Sequence, residues 1–262
     1  MKKFILLVLL IPAVAWCGEL QTQLLNLSSM YNAAGGGASP CPAFYADTNV
    51  VFSWDGDHSS GTNYACDHNG NGISGTNSSL TISTSYGESG SNGALIDYLD
   101  EYLSWPDTGD QYIDDAGPQT VWLRINISTN PSTNEVWIFE ADDGSNDNAI
   151  GVNISTTPSI VGVYRANDVG AQVAATSPGT GSFITVGYTW DASTVPDGDH
   201  AADDSGAGWD EDPDELDTSM TGNMTYIRIG ELYFENTDSD GIIYVDRFCI
   251  MDGYQASPPT NW

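Results

Sequence analysis

Apolar residues recur along this chain in short runs, each closed by glycine, asparagine, aspartate, serine or proline. The runs cover residues 50–54, 79–84, 120–128, 134–141, 149–155, 159–165, 182–190, 224–234 and 241–251, a set of lengths that predicts strands separated by turns. In the third run Val121, Leu123, Ile125 and Ile127 fall on one face of an extended chain, and Trp122, Arg124 and Asn126 on the other. That period of two predicts a half-buried strand. One segment, residues 94–103, carries apolar residues three and four apart; it reads as a helix or equally as a strand with an irregular start. Many short strands, glycine-rich turns, no internal repeat and no alternation of strand with helix predict an all-β fold, an antiparallel two-sheet sandwich.

With 262 residues and 40% hydrophobic content the chain can bury one large core, and a single domain is expected. Ahead of it lies a start with Lys2 and Lys3, an apolar stretch too short to span a bilayer comfortably, and small residues at Ala13 and Ala15. This pattern predicts a secretory signal peptide over residues 1–17, no transmembrane segment in the mature chain, and an extracellular protein. A lipid anchor on Cys17 is the lesser alternative, because the bulky Trp16 stands where a lipoprotein box wants a small residue. Residues 18–42, with Gly35, Gly36 and Gly37, read as a flexible segment, and residues 43–262 as the domain proper.

The charge is strongly one-sided. Six lysines and arginines face 36 acidic residues, for a formal net charge of −30. Both lysines lie in the leader, so Arg124, Arg165, Arg228 and Arg247 are the only lysine or arginine cations of the mature chain. Such a surface repels phosphate backbones and anionic membranes, which excludes nucleic acid as the expected partner. It is compatible with bound divalent cations or a salty medium. Between Trp190 and Asp217 eleven acids occur with no lysine or arginine, a stretch expected to be a surface excursion between two strands.

Two long apolar runs close the chain. Gly230, Gly241, Val245, Asp246, Phe248, Ile250 and Asp252 fall on the segment that ends laminin G-like and concanavalin A-like domains, which this chain resembles, although Arg247 replaces the second aspartate of that pattern. Residues 51–57, 63–67 and 181–191 resemble the opening and central strands of the same family. The resemblance implies a jelly roll over about residues 43 to 254; a galactose-binding-like sandwich is the alternative. In a jelly roll the first and last strands are neighbours, which implies that Cys41 or Cys66 could bridge to Cys249, with the pairing left open. The family includes lectins, adhesion modules and polysaccharide-cleaving enzymes, so the fold says little about activity.

Calcium is the first candidate ligand. Asp67, Asn69 and Asn71 match the first half of an EF-hand loop, whose twelfth position here is Ser78 and which no helix flanks; a turn that ligates Ca²⁺ is the form expected. Asp246, an acid inside an apolar strand, needs either a basic partner or a metal. For a glycan, Trp122 with Arg124 and Tyr226 with Arg228 each put an aromatic ring beside a planar donor fork on one strand face, an arrangement suited to uronate or sulfate groups. The competing expectation is that the few arginines pair with the many carboxylates. The three histidines, His58, His68 and His200, show no metal-site spacing. Neither the paired-carboxylate strand motif of jelly-roll glycoside hydrolases nor the motifs of alginate lyases were found, and no P-loop, nucleophile elbow or zincin motif occurs. The reading is therefore a secreted, non-catalytic glycan-binding or adhesion module that binds calcium. Alternatives are a polysaccharide-cleaving enzyme on the same fold and a structural component of an extracellular surface or particle.

Overall fold

The computed structural model describes residues 41–262 except 99, 145–146, 158, 176–178, 194–198, 205–208, 212–215, 217 and 231–239. The leader expected over 1–17, and the segment expected over 18–42 up to residue 40, lie outside the described residues. The strands in chain order are β1 (Val50–Trp54), β2 (Tyr64–Asp67), β3 (Gly72–Ser74), β4 (Thr76–Ser78), β5 (Thr81–Ser83), β6 (Gly93–Ile96), β7 (Tyr102–Pro106), β8 (Gln119–Thr129) and β9 (Val136–Asp142). They continue with β10 (Ala149–Ile154), β11 (Ile160–Ala166), β12 (Val169–Ala175), β13 (Phe183–Asp191), β14 (Asp199–Asp204), β15 (Trp209–Glu211), β16 (Tyr226–Gly230) and β17 (Ile242–Asp252).

These strands form two antiparallel sheets. The first runs β15-β14-β13-β8-β17-β1-β2-β3, with β6 also against β17 and β5 beyond it; the second runs β12-β11-β10-β9-β16-β7-β4. Their inner faces share one core, in which Phe52, Trp54, Leu123, Ile125, Tyr188 and Phe248 of the first sheet meet Trp105, Phe139, Ile150, Val152, Tyr164 and Ile227 of the second. Phe248 approaches Phe139 with ring centroids 5.7 Å apart and the rings tilted, an arrangement aromatic pairs favour in a sandwich core. Gly162 on β11 lies under the Tyr188 ring: a Cβ there would come within 2.1 Å of it. The chain is thus an all-β, two-sheet antiparallel sandwich, as the runs predict, of the jelly-roll kind that the resemblance implies.

Three local expectations change. Val121, Leu123, Ile125 and Ile127 do face the core, but Trp122 on the opposite face is also buried, packed with Phe44, Val50, Cys249 and Met251 and against Trp209 and Trp262. A short 3-10 turn (Ala43–Ala46) and the C-terminal tryptophan supply that cover. Of the two readings of residues 94–103 the strand holds among the described residues, but it is split: they are the end of β6 in one sheet and the start of β7 in the other, with Asp100 between them at a φ of 64°. The acidic stretch after Trp190 is more than an excursion, because β14 and β15 add it to the edge of the first sheet and bury Ala201 and Ala202.

The cysteines require a correction. Cys41 bridges Cys66 with a Cα–Cα distance of 5.8 Å, and Cys249 is a free, buried thiol. The first and last strands are neighbours, as the resemblance implies, but the residue of β1 opposite Cys249 is Ser53, and Cys66 lies opposite Ser53 on β2. Strands are spaced about 4.8 Å apart, so Cys249 and Cys66 stand roughly 10 Å apart across that row, beyond the ~7 Å at which a bridge can close.

Candidate functional site

The outward face of the second sheet is set by a bulge in β9. Val152 of β10 pairs with Phe139 and Asn153 with Trp137, which leaves Ile138 as the extra residue. Ile138 and Phe139 therefore both point into the core, and Trp137, Glu140 and Asp142 point outward. Trp137 lies against the sheet over Gly151, whose hypothetical Cβ would sit 2.3 Å from the ring. Only glycine at 151 leaves room for the indole to lie flat. Val161 and Val163 of β11 complete a small apolar patch with Trp137.

Beside this patch is a groove of about 270 Å³ lined by Glu135, Trp137, Ala149, Val163, Arg165, Asp168, Gly170 and Gln172. Register explains the set. Arg165 pairs with Ala149 on one side and Gly170 on the other, and Val163 with Gly151 and Gln172. Two glycines and an alanine around two long side chains leave the trough. Its polar end is the β11–β12 hairpin, where Asn167 and Asp168 take φ values of 52° and 67°, the left-handed pair that a two-residue turn between strands demands. The tip is fastened: the Asn167 N–H donates to Asn148 Oδ1 at 2.9 Å, its side-chain amide donates to the Ser219 carbonyl at 3.0 Å, and the Thr221 hydroxyl donates to Asn167 Oδ1. On this fixed turn Asp168 accepts a hydrogen bond from Arg165 at 3.1 Å. An apolar wall, a guanidinium, a carboxylate and an amide then share one concave surface, the mixture that orients a small polyhydroxylated ligand.

Next to the groove on the same face lies a buried charge cluster. Arg228 of β16, opposite Glu140, donates to Asp142 and stacks on Tyr226 with the guanidinium carbon 4.5 Å from the ring centre. Glu140 is fully buried, and neither of its carboxyl oxygens has a hydrogen-bond partner. Burial pushes its carboxyl well above the ordinary range, and the neighbouring Asp142 pushes it the same way against the opposing pull of Arg228. Burial also raises Asp142, with Arg228 opposing.

The residues singled out from sequence divide between the two outer faces. Trp122 and Arg124 lie on β8 in the first sheet; Tyr226 and Arg228 lie on β16 in the second. Trp122 is buried at 2% exposure. Arg124 is held by Glu88, whose other flank meets Arg247, the residue opposite Arg124 on β17. Asp246 is the bulged residue beside Arg247 and accepts from Arg247 Nε and the Glu88 N–H, both at 2.7 Å, and from the Ser91 hydroxyl. Asp67, Asn69 and Asn71 do come together, but as a capped turn: Asp67 Oδ1 accepts the N–H groups of Asn69 and Asn71 at 2.8 Å, and Oδ2 accepts the Asn71 amide at 2.9 Å. A calcium ion at either place would have to displace these N–H and O–H donors. Every arginine of the chain is bonded to a carboxylate.

Sequence reading missed Trp137, Asp168 and Gln172. A signal existed for Asp168: Asn167-Asp168 between two β-branched runs is a hairpin turn that would have joined β11 to β12.

No protein-family model matches the chain, and no curated protein does. Solved structures do match in fold. The binding domain of Paraclostridial Mosquitocidal Protein 1 superposes with a TM-score of 0.60 at 11% identity, over 79% of this chain and 50% of that one. The botulinum neurotoxin serotype D ligand-binding domain in complex with N-acetylneuraminic acid gives 0.55 at 14%, over 82% and 50%. Trypanosoma rangeli sialidase in complex with sialic acid gives 0.56 at 14%, over 80% and 32%. The chain spans half the length of these proteins or less, and identities this low establish the sandwich fold alone.

Proposed function

We propose that this chain is a glycan-binding module of the concanavalin A-like, laminin G-like kind, exported from the cell, and that it binds sugar in the groove between Trp137 and Gln172. The observation that carries the reading is the groove itself, where an indole and a valine stand beside a guanidinium, two carboxylates and an amide at a fastened hairpin. Sugars present an apolar C–H face and a rim of hydroxyls, and this surface offers a partner for each. That fold neighbours include a neurotoxin domain and a sialidase in complex with sialic acids supports the same reading.

Gly170 provides the test. A Cβ there would meet no atom within 4 Å, although the residue lines the groove. Gly170→Val should therefore fold as well as the parent, since valine suits a strand, and fill the trough. Retention on immobilised polysaccharides should fall about tenfold or more in Gly170→Val and in Trp137→Ala. Unchanged retention in a folded Gly170→Val protein would remove the groove from the proposal. Neither the paired-carboxylate strand motif of jelly-roll glycoside hydrolases nor a lyase motif occurs in the chain, so binding without turnover is the expected outcome. New reducing ends or unsaturated uronate in the same assay would replace this reading with the enzymatic one.

A further inference from the structure

From the charges around the groove we infer that its ligand is a neutral sugar, recognised through adjacent hydroxyls, and that acidic sugars are selected against; this rests on the glycan reading above. Three charged residues line the groove, and two of them, Glu135 and Asp168, are acids. The third, Arg165, already gives its guanidinium to Asp168 at 3.1 Å. A sialic acid, uronate or sulfate entering here would have to take Arg165 from Asp168, leave that carboxylate without its cation, and lie beside Glu135. Like charges brought together at a binding surface cost affinity and specify against the wrong partner.

No other part of the chain can reverse this balance. Arg124, Arg228 and Arg247 are bound to Glu88, Asp142 and Asp246, and the remaining cationic side chains apart from histidine are Lys2 and Lys3 of the leader. A net charge of −30 adds a long-range field that slows the approach of anions. An arginine–carboxylate pair on a fixed turn has a different use: the guanidinium donates to one hydroxyl oxygen and the carboxylate accepts from the next hydroxyl, while Gln172 can do either. The Trp137 and Val163 side takes the C–H face of the ring. A neutral hexose satisfies all of these groups without displacing the Arg165–Asp168 pair.

The experiment is calorimetric titration of the mature protein with neutral oligosaccharides, namely glucan, galactan and mannan fragments, and with sialylated, uronic and sulfated oligosaccharides of matched length, in low and high salt. A neutral series is expected to bind about tenfold tighter than the acidic ones, with an affinity that hardly changes with salt. Asp168→Asn should narrow or invert the preference, because it takes one negative charge off the groove and its carboxylate off Arg165, while asparagine tolerates the left-handed backbone at 168. Preference of the parent protein for acidic sugars, lost in Arg165→Gln, would overturn this inference and leave the glycan reading intact. A folded protein that binds neither series would overturn the glycan reading and this inference together.

Discussion

Glu140→Gln is expected to make the protein more stable at pH 7 and above and to leave its stability near pH 4 almost unchanged. Glu140 is fully buried with both carboxyl oxygens unpartnered, and the one cation beside it, Arg228, is already bonded to Asp142. Under these conditions the neutral acid is the form that the fold accepts. Its folded pKa is raised, so the sign is fixed: the stability it permits is fully present below the unfolded glutamate value of about 4.3 and is lost as the pH rises through the folded value. In that window folding takes up a proton, and the parent protein loses about 1.4 kcal/mol per pH unit relative to the glutamine variant. Glutamine has nearly the same shape and no charge to desolvate. Asp55, raised to about 6 chiefly by burial, bends the parent curve in the same direction, so the informative quantity is the difference between the two proteins. Urea unfolding from pH 4 to 8 measures it. A glutamine variant that is less stable than the parent at pH 7 would mean that Glu140 is ionised in the fold and helps to hold Arg228.

How far the site was legible depends on parity. Strand positions were readable wherever a regular period of two held, as in β8, where Val121, Leu123, Ile125 and Ile127 all reach the core. In β9 the same count fails, because the bulge at Ile138 inserts one residue and moves every outward position past it by one. Counting by two from Trp137 puts Phe139 and Ala141 on its face; the chain instead puts Glu140 and Asp142 there. The groove also depends on Gly151, Gly170 and the Asn148–Asn167 bond, contacts across strands that a linear reading cannot pair. The acidic stretch misled for a different reason: Ala201 and Ala202, on opposite faces of β14 and both buried, stand within a run dominated by charge. What the composition did constrain was the arginines. With four of them among 36 acids, pairing with carboxylates was the default, and each of the four has one.

Loss of the Cys41–Cys66 bridge is expected to lower stability by about 3.5 kcal/mol, the loop-closure figure for residues 25 apart in sequence. For a domain of this size each kcal/mol moves the melting temperature by roughly 2–4 °C, so a drop of about 10 °C is expected in Cys41→Ser or on reduction. The bridge fastens the chain ahead of β1 to β2. Phe44, three residues on, lies over Trp262 and the buried outer face around Trp122 and Cys249, so the loss should loosen that cover first. Cys249 reports it. Its thiol is fully buried and pushed well above the ordinary cysteine range by that burial, and a buried, protonated thiol is inert. In the oxidised native protein Cys249 should resist iodoacetamide, and its labelling should accelerate once Cys41 is replaced by serine, well below the melting temperature. Peptide mapping without reduction that finds Cys249 joined to Cys41 or Cys66 would refute the pairing outright. If Cys41→Ser melts with the parent and Cys249 stays protected, the segment before β1 is held by Phe44 and its neighbours, and the disulfide is dispensable to the fold.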